Sequence, residues 1–198
     1  VRSLTLSALD DLASRGVKAL VIACNTATAA ALADARERYW IDAGIPVIEV
    51  ITPAARQSVS ATRNRHVGVI GTKATIQWEA YLRALAAVPG LRVTQQACPA
   101  FVDFVEAGVT TGDEIEAVAT EYLTPLKAAG VDTLILGCTH YPLLTGVISR
   151  VMGDGVTLVT SSEATANMTY NELVDRALLH DPWPEGARPE HCLLYTSP

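Results

Sequence analysis

Helix-like and strand-like patterns of apolar residues alternate along the chain. Apolar positions three or four residues apart predict helices, and short runs of consecutive apolar residues predict buried strands. The predicted helices cover about 1–15, 25–39, 53–61, 76–87, 101–107, 113–129, 141–151 and 162–179. The predicted strands cover about 17–23, 46–50, 66–70, 91–97, 134–137 and 156–159. This alternation is typical of βα units, so we predict an α/β fold with parallel sheets flanked by helices.

Three residues mark helix ends. Gly16 follows the first predicted helix and ends it, since glycine readily adopts the left-handed conformation of a helix end. Asp113 is the predicted N-cap of the helix that follows it, because a carboxylate accepts hydrogen bonds from free N–H groups. Pro142 is tolerated in the first turn of its helix, where no N–H is needed.

One sequence motif occurs twice. Residues 16–26 read Gly-Val-Lys-Ala-Leu-Val-Ile-Ala-Cys-Asn-Thr, and residues 130–140 read Gly-Val-Asp-Thr-Leu-Ile-Leu-Gly-Cys-Thr-His. Each copy has a glycine, an apolar strand, and then a cysteine followed by polar residues. The repeat predicts two pseudo-symmetric lobes with a site in the cleft between them. We assign residues 1–49 and 158–198 to the first lobe and residues 50–157 to the second.

Composition excludes several classes of partner. The 198 residues carry a net charge of −6 and no basic run, which argues against nucleic acid. The apolar runs are too short to span a membrane. The cysteines, at 24, 98, 138 and 192, match neither a disulfide framework nor a metal-binding pair. We therefore expect a cytoplasmic protein with free thiols.

Cys24 and Cys138 are the strongest candidates for chemistry. Both follow a predicted strand, and ligands of open α/β sheets bind beyond the carboxyl ends of the strands. Backbone N–H groups at the start of the next helix should stabilise each thiolate. Two thiols on opposite faces of a substrate could invert a stereocentre, one removing a proton and the other returning one. His140 could exchange a proton with Cys138.

Other interpretations remain open at this point. A lone cysteine after a buried strand is most often a small core residue, although the repeat weakens that interpretation. Cys98 has no counterpart in the repeat and is predicted to be structural, and His66 and His180 are predicted to lie at the surface. One histidine and two distant thiols give little support for zinc. The loop 71–75 lacks the spacing of a phosphate loop and is predicted to bind ligand at a strand end.

Two segments resemble the active-site motifs of glutamate racemases, within the aspartate/glutamate racemase superfamily. They are Ala-Cys-Asn-Thr-Ala at 23–27 and Leu-Gly-Cys-Thr-His-Tyr-Pro-Leu at 136–143. The similarity extends over roughly residues 3–180. Supporting similarity lies at 51–54, 67–75, 97–99, 105–108 and 163–166.

The resemblance implies interconversion of L- and D-glutamate without metal or cofactor, supplying D-glutamate for peptidoglycan. It implies that Cys24 and Cys138 are the acid/base thiols, Cys24 acting on D-glutamate and Cys138 on L-glutamate. His140 would assist Cys138, and Glu106 would lie near His140. The substrate would be held by Asn25, Thr26, Thr72, Thr75 and Thr139. The partner would be a small molecule, and a homodimer stays open.

The sequence also departs from the family pattern. The opening strand with an Asp-Ser-Gly motif and a later Tyr-Gly pair are absent, and Thr-Ser-Ser at 160–162 stands where the family often has Asp-Ser. We therefore expect the chain to lack an N-terminal segment and to be weak or inactive, and the tail 181–198 to be non-native. The alternatives are a sister racemase acting on aspartate or a hydantoin, or an inactive, non-enzymatic amino-acid-binding relative.

Overall fold

Two parallel sheets organise the chain. The computed structural model describes residues 1–182, 184, 186, 191 and 192, so the expectation about the tail 181–198 falls mostly outside the described residues. The smaller sheet pairs β1 (Leu20–Ile22) with β2 (Val47–Glu49). The larger sheet has the order β4-β3-β5-β6. Its strands are β3 (His66–Gly71), β4 (Arg92–Ala97), β5 (Thr133–Gly137) and β6 (Thr157–Thr160). The predicted α/β class is confirmed.

Helices separate these strands. They are α1 (Arg2–Ser14), α2 (Asn25–Ala35), α3 (Ile51–Ala61), α4 (Lys73–Gln77), α5 (Ala80–Leu85), α6 (Ala100–Glu106), α7 (Asp113–Ala128), α8 (Thr145–Met152) and α9 (Ser161–Asp175). A π-helical stretch, Arg36–Ile41, continues α2, and a 3-10 turn, Tyr141–Leu144, precedes α8. Pro142 lies at the start of that turn, where its missing N–H leaves no bond unmade.

β5 forms the centre of the larger core, and all five of its residues are buried. Leu134 and Leu136 pack into a cluster with apolar residues of α7, whereas Ile135 faces a second cluster with Val67 and residues of α3. Successive strand residues point to opposite faces, so β5 is covered by helices on both sides, as a parallel strand requires. Burial of each such side chain contributes about 1.5–3 kcal/mol.

The helix predicted over 76–87 is broken in two. Glu79 has a φ of 51° in the left-handed region, and it separates α4 from α5. No glycine or proline marks this break, so hydrophobic periodicity alone could not reveal it. After the break, α5 buries Tyr81 and Leu85 in the core.

Two local predictions are wrong. Gly112 caps α7, whereas Asp113 is the first helical residue, where its charge favours the helix N-terminus without a capping hydrogen bond. His66 is buried rather than exposed, and its Nε2 lies 2.8 Å from the Thr94 hydroxyl. The pairing of β3 with β4 places that hydroxyl beside the ring, which sequence position could not show.

The last strand lies at the predicted boundary between the lobes. β6 pairs with β5, with Leu158 opposite Leu134 and Val159 opposite Ile135. Residues 158–160 therefore belong to the larger sheet. The next helix, α9, packs against α3 and also contacts β2. The division into lobes stays a proposal.

Candidate active site

Cys24 stands at the junction of β1 and α2. It is the N-cap residue of α2, with extended backbone angles, and its carbonyl accepts a hydrogen bond from the Thr28 N–H at 2.9 Å. Its side chain is exposed. Cys24 therefore lies at the N-terminus of α2, as the sequence predicts, although its side chain makes no capping hydrogen bond.

Cys138 directly follows β5 and is only 8% exposed. Burial raises the pKa of its thiol, and the backbone N–H groups of His140, Tyr141 and Thr139 only partly oppose that effect, while charge on Cys24 adds to it. The sequence predicts a stabilised thiolate here, and the net direction is the opposite, because burial outweighs the N–H groups. Cys138 is thus a protonated thiol at neutral pH.

His140 links Cys138 to a carboxylate. Its Nδ1 lies 3.7 Å from the Cys138 sulfur, and its Nε2 lies 2.5 Å from Glu106 Oε1. The Glu106 side chain is 69% exposed, whereas that of His140 is 29% exposed. The carboxylate fixes the ring orientation, so His140 can give a proton to the sulfur or take one from it.

Three threonine hydroxyls meet beside the thiols. Thr26 lies 2.9 Å from Thr72 and 3.1 Å from Thr75, and Thr72 and Thr75 are 3.1 Å apart. Thr26 comes from the first turn of α2, and the other two come from the N-terminus of α4, where Thr72 caps the helix. Each hydroxyl donates one hydrogen bond and accepts up to two, so the cluster can turn hydrogens toward a bound carboxylate.

These groups surround one small cavity of about 150 Å³. Its walls are formed by Cys24, Asn25, Thr26, Thr72, Val102, Cys138, Thr139 and His140. Seven of the nine residues singled out from the sequence are in this wall. The other two are one contact away, because Thr75 is fully buried against Thr26 and Thr72, and Glu106 lies behind His140. The volume is below the range of about 300–1,000 Å³ that is usual for sites of drug-sized ligands, so only a smaller molecule would fit.

Two supporting residues escaped the sequence reasoning. The Tyr81 hydroxyl donates to Asn25 Oδ1 at 2.7 Å, and Gly137 precedes Cys138 where no side chain fits. A Cβ at Gly137 would lie 2.7 Å from the Ile70 carbonyl oxygen and 3.1 Å from the Tyr81 ring. A tyrosine in an apolar helix pattern signals a buried hydroxyl that needs a partner, but it does not name the partner.

Cys98 contacts the turn that follows Cys138. It is fully buried, and burial raises the pKa of its thiol well above the ordinary range. Its carbonyl accepts a hydrogen bond from the Tyr141 hydroxyl at 2.8 Å, which anchors the turn after Cys138. Cys98 does not line the small cavity.

A second cavity of about 430 Å³ shares Cys138 and Thr139 with the first. Its walls are mostly apolar, and they include Val21 of β1 and Ser161 and Ser162 of α9. Cys138 and Thr139 therefore stand between the two cavities.

Within the part of the chain that the structure describes, no group of three or more His, Cys, Asp and Glu side chains could hold a metal ion. In the same residues, no helix is both long and apolar enough to cross a membrane.

Comparison with known proteins gives the family. A model of the Asp/Glu/Hydantoin racemase family matches residues 2–169. The chain belongs to the Asp/Glu/hydantoin racemase family. A glutamate racemase of Parafrankia is 59% identical over 196 residues, which cover 99% of this chain and 69% of the relative. The recognition of the family from the sequence is confirmed.

Solved structures of racemases have the same fold. A glutamate racemase isoform from Bacillus anthracis is 39% identical with a TM-score of 0.81, covering 91% of this chain and 66% of that one. A glutamate racemase from Francisella tularensis, in complex with D-glutamate, is 37% identical with a TM-score of 0.79, covering 87% and 63%. This racemase-family chain thus spans about two thirds of the length of the proteins it matches.

Proposed function

We propose that the chain interconverts L- and D-glutamate without a cofactor, with Cys24 and Cys138 as the two acid/base groups. The observation that carries the proposal is that both thiols line one small cavity together with hydroxyl and amide groups. The relatives named above are glutamate racemases, and one of them was solved with D-glutamate. The proposed setting is the cytoplasm, with D-glutamate supplied to peptidoglycan.

Cys24 is exposed and Cys138 is buried, and this difference suggests how protons move. With D-glutamate bound, the Cys24 thiolate takes the α-proton, and the electron pair of the broken C–H bond stays on the substrate next to the carboxylate. The Cys138 thiol then gives its proton to the opposite face, which forms L-glutamate and leaves Cys138 as a thiolate. The reverse reaction begins from that state, with Cys138 as base and Cys24 as acid.

His140 supports the Cys138 half of the cycle. A buried thiolate is costly unless a neighbouring group compensates for its charge. His140 Nδ1 lies 3.7 Å from the sulfur, and Glu106 holds the other ring nitrogen, so a protonated His140 would stabilise the thiolate. The backbone N–H groups of the following turn act in the same direction.

The polar residues of the wall provide the groups that bind substrate. Asn25, Thr26, Thr72 and Thr139 line the cavity, and Thr75 completes the hydroxyl cluster. Amide N–H and hydroxyl groups bind carboxylates, and hydroxyl oxygens accept hydrogen bonds from an amine. We assign the carboxylates and amine of glutamate to these residues.

The test follows both stereochemistry and exchange at the α-carbon. Circular dichroism of D- or L-glutamate over time should show racemisation, and in D2O the α-hydrogen should be replaced by deuterium. Cys24→Ala and Cys138→Ala should each abolish racemisation, since each removes one of the two required groups. Aspartate serves as the comparison substrate.

Cys98→Ala is the matched control, because Cys98 is a buried thiol that lies outside the cavity wall. It should leave racemisation unchanged within a few-fold. Normal racemisation by either Cys24→Ala or Cys138→Ala would refute the two-thiol mechanism. An absence of deuterium exchange in the unmodified chain would refute the proposed activity of this chain and would agree with the weak or inactive chain expected from its departures from the family pattern.

A further inference from the structure

The side-chain amide of Asn25 is held at one end and unpartnered at the other. Asn25 is 2% exposed, and its Oδ1 accepts the hydrogen bond from the Tyr81 hydroxyl at 2.7 Å. Its Nδ2 is buried and has no hydrogen-bond partner among the described residues. A buried donor without a partner is destabilising, so such groups are rare unless a ligand completes them.

Tyr81 is placed rigidly enough to orient that amide. It is fully buried on α5, after the break at Glu79, and it packs with Leu85 and Ile135. Its ring also lies against the backbone of Gly137, one residue before Cys138. Burial raises the pKa of Tyr81 far above its ordinary value, so the hydroxyl keeps its proton and remains a donor at any physiological pH.

We propose that Tyr81 is a positioning residue that fixes the Asn25 amide with its oxygen turned to Tyr81 and its NH2 group left to bind the carboxylate of an α-amino acid. The inference rests on the proposed function, since it names how one residue of that site recognises substrate. An amide oxygen facing a carboxylate would repel it, whereas the NH2 group donates to it. Tyr81 thus selects which of two nearly isosteric orientations the substrate meets.

The expected kinetic signature is a loss of binding without a loss of chemistry. The amide would hold a carboxylate in both the ground state and the transition state. A misoriented amide therefore weakens the binding of both states equally. Tyr81→Phe should raise KM about tenfold for both enantiomers and leave kcat within about threefold. The ratio between enantiomers should stay constant, because neither thiol is changed.

The experiment is a double-mutant cycle on the full chain, with D-glutamate as the probe. Calorimetric Kd and kinetic KM are measured for the unmodified chain, Tyr81→Phe, Asn25→Ala and the double variant. If Tyr81 acts through Asn25, Tyr81→Phe has little further effect on Kd in the Asn25→Ala background. Additive losses, or an unchanged Kd in Tyr81→Phe, would overturn the inference.

Tyr39→Phe is the matched control. Tyr39 is also buried, and its hydroxyl donates to Asp10 at 2.8 Å, with the Leu6 carbonyl 3.2 Å away, outside the cavity wall. It should lose stability in thermal unfolding but keep the Kd for D-glutamate. A similar rise in Kd for Tyr39→Phe and Tyr81→Phe would mean that destabilisation alone explains the effect.

A second measurement separates this inference from the proposed function. The side-chain NH2 signals of Asn25, identified by NMR through their loss in Asn25→Ala, report the amide without any ligand. They should shift in Tyr81→Phe and stay unchanged in Tyr39→Phe. Unchanged signals in Tyr81→Phe would overturn the inference whether or not the chain racemises glutamate. Shifted signals in a chain that does not bind glutamate would refute the proposed function and support the Tyr81–Asn25 contact alone.

Discussion

The two copies of the repeated sequence motif, at 16–26 and 130–140, have similar sequences but different surroundings. Val21 in β1 is 44% exposed, whereas Ile135, at the same place in the second copy, is completely buried. β1 pairs only with β2 within the described residues, whereas β5 lies between β3 and β6. The two thiols differ in the same way, Cys24 being exposed and Cys138 buried. A repeated sequence therefore places two groups alike, but the neighbouring strands decide the environment of each.

The largest expected difference in stability is between substitutions at Asp132 and Lys18, which occupy the same place in the two copies. Asp132 accepts hydrogen bonds from the Thr62 and Thr133 hydroxyls and from the N–H groups of Arg63 and Asn64. Lys18 is exposed and donates to the Leu178 carbonyl. Asp132→Ala should lower the free energy of unfolding in urea by about 3 kcal/mol, since four donors lose their acceptor.

Lys18→Ala is the control, and its cost in free energy of unfolding should stay below about 0.5 kcal/mol.

The Asp132 carboxylate also makes the stability depend on pH. Burial alone would raise the pKa of Asp132, but the hydrogen bonds from Thr62, Arg63, Asn64 and Thr133 outweigh it and hold the pKa below its ordinary value. Its contribution is therefore present above the unfolded pKa of about 4 and is lost as pH falls through the folded pKa. The stability gap to Asp132→Asn should stay constant above about pH 5 and shrink as the pH falls below about 4, and a gap that stays constant in that acidic range would contradict this account.

The next comparison concerns the residues that precede the two cysteines. It sets Gly137→Ala beside Ala23→Gly. At Gly137 a Cβ would come within 2.7 Å of the Ile70 carbonyl oxygen, so the backbone would have to move. Gly137→Ala should cost about 2 kcal/mol in urea unfolding. Ala23 is exposed, and Ala23→Gly should cost at most about 1 kcal/mol, through backbone entropy. Equal costs at both sites would show that the two strand ends are packed alike.

The smallest effect is a difference in thiol reactivity. Iodoacetamide reacts with thiolates, so exposure and a low pKa both speed alkylation. Cys24 is exposed, whereas Cys138 is buried and burial raises its pKa. In a Cys192→Ser background, which removes the other exposed thiol, peptide mapping at neutral pH should find Cys24 alkylated about tenfold faster than Cys138. Faster labelling of Cys138 would mean that His140 outweighs burial in setting its reactivity.

Much of the site follows from short-range pattern. Cys24 and Cys138 each follow an apolar run, and strands of that kind end where α/β proteins bind ligands. His140 is two residues from Cys138, so the chain itself brings them together. Glu106 entered through family resemblance, and the structure supplies the contact with His140 that explains its place. By contrast, the surface position predicted for His66 is wrong because a neighbouring strand covers it.

The sequence by itself determined the alternation of helices and strands, the positions of the two thiols at strand ends, and the family. These depend on residues a few positions apart, which meet whatever the rest of the chain does. Only the tertiary structure decided that Cys138 is buried with a raised pKa while Cys24 is exposed, that the helix at 76–87 breaks, and that Tyr81 reaches Asn25. Burial and long-range hydrogen bonds arise from groups far apart in the chain, so local pattern cannot specify them.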